Sequence, residues 1–220
     1  ESVREPTKVK FSFIIPVFEQ KKYLLRVLDC IEKQKYDLSE VEVIIVDDGG
    51  HDNLKADLDK RESLVTIRYY YLQREIHREM GDFRFRAGIA RNLGAKAASG
   101  DFFFFLDADV LLPETALVTL EKEIEETVLL QIKRYDLNSY ATKIYSSVTN
   151  INIDKDIIYD GRSYWYNFFK LGKNWNTLSD PWKYVCTYGL CIRNYDFYNY
   201  GGFQNNYIGY GFEDTDLGYR

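Results

Sequence analysis

Three short apolar runs in the first half of this chain each stop abruptly at acidic or turn-forming residues, and helical periodicity fills the gaps between them. Phe11 to Val17, which contains Pro16, gives way to Phe18-Glu19. Val41 to Val46 ends in Asp47-Asp48-Gly49-Gly50. Phe102 to Leu106, the most apolar of the three, ends in Asp107-Ala108-Asp109. Short apolar runs bounded by turn residues read as strands buried on both faces. Between them, Gln20 to Lys35 carries Leu24, Val27, Leu28 and Ile31 at helical spacing. Leu54 to Glu62 reads as a helix, Val65 to Leu72 as a strand, and Ala87 to Ala98 as an Ala-rich helix closed by Ser99-Gly100. Pro113 opens a further helix to about Glu126, proline being favoured early in a helix. The alternation predicts an α/β fold with a mostly parallel central sheet flanked by helices. Ligands of such sheets sit beyond the carboxyl ends of the strands. The three polar clusters are therefore expected along one edge.

The rest of the chain is less regular. Gln73 to Arg86 reads as a charged loop, Val128 to Arg134 and Val185 to Arg193 as strands, and Tyr195 to Tyr200 as a short helix or turn broken by Gly201-Gly202. A last helix starts at Glu213 and runs to Arg220, and residues 135 to 180 show no usable period. There is no internal repeat. We expect one domain over 1–220, with halves 1–112 and 113–220.

Composition narrows the function classes. At 45% hydrophobic residues the chain can bury a sizeable core. A net charge of −5 gives no general attraction to nucleic acid or anionic lipid, so any phosphate must be met by a metal or by a few placed cations. Cys30, Cys186 and Cys191 are too few for a disulfide scaffold and fit a reducing, cytoplasmic setting, with the inner face of a membrane as the alternative. Cys186 and Cys191 read as small buried residues of one strand rather than as a metal pair. No apolar stretch approaches the ~18 residues of a membrane span, and Glu1 to Lys10 lacks a signal-peptide core. Fourteen of the nineteen Tyr and all three Trp follow residue 134. Such rings suit both an aromatic core and the binding of sugars.

Two carboxylates one residue apart in extended chain face the same side and can share a hard cation. The D-x-D spacing occurs at Asp57/Asp59, Asp107/Asp109, Asp154/Asp156 and Asp214/Asp216, so spacing alone selects none of them. Context does: only Asp107 and Asp109 follow a strongly apolar strand, where a carboxylate is costly without a partner. Asp47-Asp48-Gly49-Gly50 is either a plain turn or a place where a carboxylate accepts from a nucleobase or ribose. Gly211-Phe212-Glu213-Asp214 is either a helix start with favourable acidic residues or the seat of a general base. Phe203, Tyr207 and Tyr210 precede it and suit an acceptor site. Arg84, Arg86 and Arg91 flank the start of the Ala-rich helix and are either a solvated charge run or a natural place for phosphate.

In this order the segments FSFIIPVFEQ (11–20), VEVIIVDDGGHD (41–52), RAGIARNLGAKAASGDFFFFLDADV (86–110) and GGFQNNYIGYGFEDTDLGYR (201–220) resemble the family 2 glycosyltransferases. The last also resembles the acceptor-side region of galactosyl- and N-acetylgalactosaminyltransferases of the chondroitin-polymerase type. The resemblance implies a GT-A fold with a nucleotide-sugar half (1–112) and an acceptor half (113–220). It implies that Pro16, Val17, Phe18, Glu19, Asp47 and Asp48 line the nucleoside, with Arg86 and Arg91 near the donor. Asp107, Ala108 and Asp109 would hold the donor and a Mn²⁺ or Mg²⁺ ion, Asp109 being the direct ligand and Asp107 its partner. Asp214 would be the catalytic base, Glu213 would hydrogen-bond a sugar, and Tyr210, Gly211 and Phe212 would meet the acceptor. The implied reaction is inverting transfer from a UDP-sugar to a glycan, lipid or protein hydroxyl. Galactose or an N-acetylhexosamine is expected ahead of glucose. The sequence departs from the family pattern at Glu19, where many relatives have Asn, and at Gly50, where many have Ser. The His that some relatives place after the Glu-Asp pair has no counterpart here, His51 and His77 lying in the other half, so that ligand is missing, replaced by water, or lost with a truncated C-terminus. A sugar-nucleotide pyrophosphorylase is disfavoured because no Gly-rich loop follows the first strand. A non-catalytic nucleotide- or carbohydrate-binding module is the alternative.

Overall fold

In the computed structural model, which describes residues 8–74, 85–124, 129–158, 178–207 and 211–220, the apolar runs become β1 (Phe11–Val17), β2 (Val41–Asp47) and β4 (Phe102–Leu106). Every residue of these three strands is buried. With β3 (Thr66–Tyr71), β5 (Leu129–Gln131) and β6 (Gly189–Arg193) they form a six-stranded sheet of order β3-β2-β1-β4-β6-β5. The first four strands are parallel, and β6 runs antiparallel to both of its neighbours. This is the mostly parallel α/β sheet expected from the sequence. The helices are α1 (Lys21–Glu32), α2 (Leu54–Leu58), α3 (Ala87–Ala97), α4 (Ala116–Ile124), α5 (Ser139–Ile144), α6 (Ile153–Asp156), α7 (Asn194–Asn199) and α8 (Glu213–Tyr219).

Side chains alternate across a strand, so each central strand feeds two cores. Phe13, Ile15, Phe104 and Leu106 pack with Leu24, Val27, Leu28 and Ile31 of α1 and with Leu117 and Leu120 of α4. Ile14, Ile44, Phe103 and Phe105 face the other way, toward Ala90 of α3, Phe197 of α7 and Leu217 of α8. A fully buried Leu, Ile or Phe contributes about 1.5–3 kcal/mol. The unbroken row in β4 therefore fixes the sheet centre and the place where its carboxyl end emerges. Helix α3 lies close against β1, because a Cβ on Gly94 would stand 2.5 Å from Cγ2 of Ile14.

Distant side chains complete the helix ends. The Lys21 amide at the start of α1 donates to Asp52 Oδ2 at 3.0 Å, which satisfies an N–H that the helix cannot. Arg26 of α1 donates through Nη1 to the carbonyls of Thr142 (2.6 Å) and Tyr145 (3.2 Å) and through Nη2 to that of Lys143 (3.0 Å). A cation thus meets the carbonyl end of α5, where the helix dipole favours it.

Several elements are shorter than the sequence suggests. Helix α2 stops at Leu58, α4 starts at Ala116 after a turn through Pro113, and β6 starts at Gly189 rather than Val185. Cys186 consequently lies ahead of the strand and is half-buried, while Cys191 within it is fully buried. The expected ends at Glu126 and Val128, most of the 73–86 loop and residues 159–177 lie outside the described residues. Among the described residues no helix is long and apolar enough to cross a membrane.

Candidate active site

Parallel pairing aligns the strand ends: Val17 is in register with Asp47, and β4 lies on the other side of β1. Pro16 and Val17 are buried within β1, and the chain then turns through Phe18 and Glu19. Glu19 takes φ +52° and Gly49 takes φ +81°, two left-handed residues that let the β1 and β2 ends meet. The Asp48 amide donates to the Val17 carbonyl at 2.9 Å.

Both acidic residues after β2 are engaged by the protein. Asp47 Oδ1 accepts from the Gly50 amide at 2.7 Å, and Oδ2 accepts from the Tyr69 hydroxyl at 2.8 Å. Asp48 is fully buried. Its Oδ2 accepts from Arg74 Nη2 (2.9 Å) and the Arg86 amide (2.7 Å), and its Oδ1 accepts from Arg86 Nε (2.8 Å). Arg74 also covers the Phe18 ring, with its guanidinium carbon 3.8 Å from the centroid. Arg86 reaches on to the carbonyls of Leu72 and Gln73. The turn is therefore a rigid, charge-paired cradle.

Arg91 gathers the remaining carboxylates. Its side chain is only 4% exposed. Nη2 donates to Asp107 Oδ1 at 2.9 Å, and Nη1 donates to Glu213 Oε1 at 3.1 Å. One guanidinium thus ties the end of β4 to the first turn of α8. Glu213 Oε2 is buried with no hydrogen-bond partner, as is Arg91 Nε. A buried acceptor in that state is one that a ligand hydroxyl would satisfy. Beside it, Asp214 Oδ1 accepts from the Thr215 amide at 2.9 Å. Desolvation first, and the adjacent Glu213 charge second, push the Asp214 carboxyl above the ordinary carboxylate value, while Arg91 acts in the opposite sense.

The loop before α8 is pinned from two sides. Asn92 Nδ2 donates to the Phe203 carbonyl at 2.7 Å and to Asn205 Oδ1 at 3.0 Å, while Asn92 Oδ1 accepts from the Phe203 amide at 2.9 Å. Arg220 donates to the carbonyls of Tyr200 and Gly202. Phe203 is buried against Phe105 and Phe197, so it serves the core instead of a binding surface. Gly211 and Phe212 follow with φ +103° and +72°. Phe212 holds this strained backbone while 73% of its surface is exposed. Tyr210 and Arg84 lie outside the described residues.

Asp107 and Asp109 flank the buried Ala108 at the end of β4. Asp107 is partly exposed with one oxygen on Arg91, and Asp109 is exposed. Desolvation, and then the charge of Asp107, hold the Asp109 carboxyl above its ordinary value. Two crowded carboxylates with spare oxygens are a donor set that a hard cation relieves and that Mg²⁺ or Mn²⁺ fits. No cluster of three or more potential ligands occurs among the described residues. Asp107 and Asp109 are the residues that could hold such an ion. A cavity of about 970 Å³ opens between α1, α4 and β5, with Asp109 itself on its wall. Its lining combines aliphatic side chains, among them Leu112, Leu120, Leu130 and Ile132, with the cations Arg26, Lys133 and Arg134.

This arrangement can be compared with known proteins. The family profile described as Glycosyl transferase family 2 matches residues 12–190. The chain belongs to glycosyl transferase family 2. Within that family it is 26% identical over 220 residues to validoxylamine A glucosyltransferase of Streptomyces hygroscopicus, covering 95% of this chain and 50% of that protein. It is 24% identical to the chondroitin synthase of Escherichia coli, over 95% of this chain and 32% of the relative. The chain thus spans half or less of the length of these family 2 relatives. Its fold is similar to that of a crystal structure of Staphylococcus aureus TarS in complex with UDP, with a TM-score of 0.65 at 19% identity over 96% of this chain and 54% of that one. A mannosyltransferase from Pyrobaculum calidifontis, in complex with GDP-Man and Mn²⁺, gives a TM-score of 0.61 at 16% identity, covering 97% and 52%. The architecture is the GT-A fold.

The sequence grouped Arg86 and Arg91 together, but the structure sends one to Asp48 and the other to Asp107 and Glu213. It also adds residues that carried no local signal: Arg74, Tyr69, Asn92 and Arg220. Each acts on a partner far away in the chain. Asn92, one step from Arg91, and Arg220, at the end of the 201–220 segment, stood where a motif could have marked them.

Proposed function

We propose that this chain transfers a hexose or N-acetylhexosamine from a UDP-linked donor to an acceptor hydroxyl by a metal-assisted, inverting displacement. The acceptor would be a glycan, lipid or protein. The observation that supports it is the Arg91 bridge, which joins Asp107, after β4, to Glu213, the neighbour of Asp214 in α8. Membership of family 2, and the UDP held by the TarS structure, favour this reading over a binding module.

In this mechanism Asp214 takes the proton of the acceptor hydroxyl. The acceptor oxygen then bonds to the anomeric carbon from the face opposite the diphosphate, and the bond between that carbon and the phosphate oxygen breaks. The unsatisfied Glu213 Oε2 accepts a sugar hydroxyl and orients the ring. Asp107 and Asp109 are the residues that would hold Mn²⁺ or Mg²⁺, which when bound supplies Lewis-acid stabilisation of the leaving diphosphate. The β1–β2 turn, with Phe18, Glu19 and the Asp48–Arg86 cradle, borders the nucleoside. Phe212 offers an exposed ring for the acceptor.

Calorimetric titration of UDP with and without Mn²⁺, with GDP as comparator, tests this directly. Metal-dependent binding of UDP over GDP is expected. Preference for GDP would overturn the donor assignment, and binding of neither would overturn the transferase reading.

A further inference from the structure

Arg91 demands more explanation than packing provides. A buried guanidinium is costly unless it is paired, and an apolar residue would fill this face of α3 with less penalty. Each of its terminal nitrogens donates to a carboxylate, Asp107 or Glu213, and its Nε is buried, so the fork is directed at protein groups. The planar fork of arginine can engage two carboxylates at fixed angles, which a lysine ammonium cannot do. The surroundings on α3 fit the same task. Gly88, one turn earlier, lies against the Glu213 side chain, and a Cβ there would be in ordinary contact with its Cγ at 3.4 Å. Asn92, the next residue, clasps both backbone groups of Phe203. One short stretch of α3 therefore carries attachments to both the end of β4 and the loop leading to α8.

We propose that Arg91 is a positioning residue rather than a donor ligand: it fixes the distance between Asp107 and Glu213 and so sets the donor-side carboxylates against the Glu213–Asp214 pair. This rests on the transferase reading above. It also gives Arg91 an electrostatic task. The largest charge effects on Asp214 come from Glu213 on its own helix and from Arg91 on α3, and Arg91 offsets Glu213.

The test compares the protein with Arg91→Lys and Arg91→Met. It reads UDP affinity with Mn²⁺ by calorimetry, and turnover by hydrolysis of UDP-glucose and UDP-N-acetylglucosamine across the acidic range. Arg91→Lys is expected to keep UDP affinity within about threefold. Its turnover should fall by roughly 10²-fold, the scale of an ångström-sized misplacement, with the acid limb unmoved because the charge remains. Arg91→Met should lose as much turnover and shift the acid limb to higher pH. If the Met variant does not fold, the Lys variant carries the test. A tenfold or greater loss of UDP affinity in Arg91→Lys would make Arg91 a phosphate ligand and overturn the proposal. Unchanged turnover with only a lower Tm would make it a structural strut and equally overturn it. Wild-type protein that neither binds UDP nor hydrolyses either sugar nucleotide would overturn the transferase reading itself.

Discussion

Glu19 holds a left-handed backbone at φ +52° with an exposed side chain. A residue with a Cβ pays for that conformation, and Asn tolerates it better than Glu. Glu19→Asn should stabilise the protein by about 0.5–1 kcal/mol, read as a higher urea midpoint at unchanged slope. Asp214 is a second residue whose environment opposes its charge. Its folded pKa lies above the unfolded value, so the ionised carboxylate opposes folding and the protonated form favours it. Above both pKa values Asp214→Asn should thus leave Tm unchanged or raise it, while turnover falls by about 10²–10⁴-fold. In the unsubstituted protein, activity should fail as pH drops through a limb placed above the ordinary carboxylate range. A lower Tm together with full turnover in Asp214→Asn would remove it as base.

At the scale of elements, α3 decides how the site is assembled. The Cβ of Gly94→Ala would stand 2.5 Å from Ile14 in the core of β1. Overpacking of this kind typically costs about 1–3 kcal/mol, against a helix-propensity gain of about 1 kcal/mol for replacing glycine. A net loss of up to about 2 kcal/mol is expected by denaturant unfolding. Central elements such as β1, β2 and β4 were legible in the sequence because burial on both faces leaves an unbroken apolar run. The short, half-buried β5 was legible only as a longer strand, and nothing local in Gly189–Arg193 states that β6 runs backwards. The same divide runs through the site. Asp107 and Asp109 stood out because a strand of Phe and Leu makes a following carboxylate conspicuous. The bridge from Arg91 to Glu213 spans 122 positions, and the pairing of Asp48 with Arg86 spans 38. Such pairings depend on how the sheet brings distant segments together, which no local pattern encodes.

At the scale of the whole molecule, ligand binding and folding are linked. UDP with Mn²⁺ at a hundred times its dissociation constant should stabilise the folded state by about 2.7 kcal/mol, a Tm rise of roughly 5–10 °C for a chain of this size. Chelating the metal should cancel most of that rise if the ion and the diphosphate share one site, and a rise that survives chelation would separate them. The paired arginines on Asp48 have a different kind of consequence. Arg74 and Arg86 stand at the two ends of the segment between them and are anchored to one buried carboxylate. The exit and re-entry points of that segment are therefore set by the scaffold, independently of what lies between. Closing a loop costs only about 0.6 kcal/mol more for each doubling of its length. The Asp48 anchor is thus held by residues on either side of the interval, and a change in the interval's length should cost the fold little.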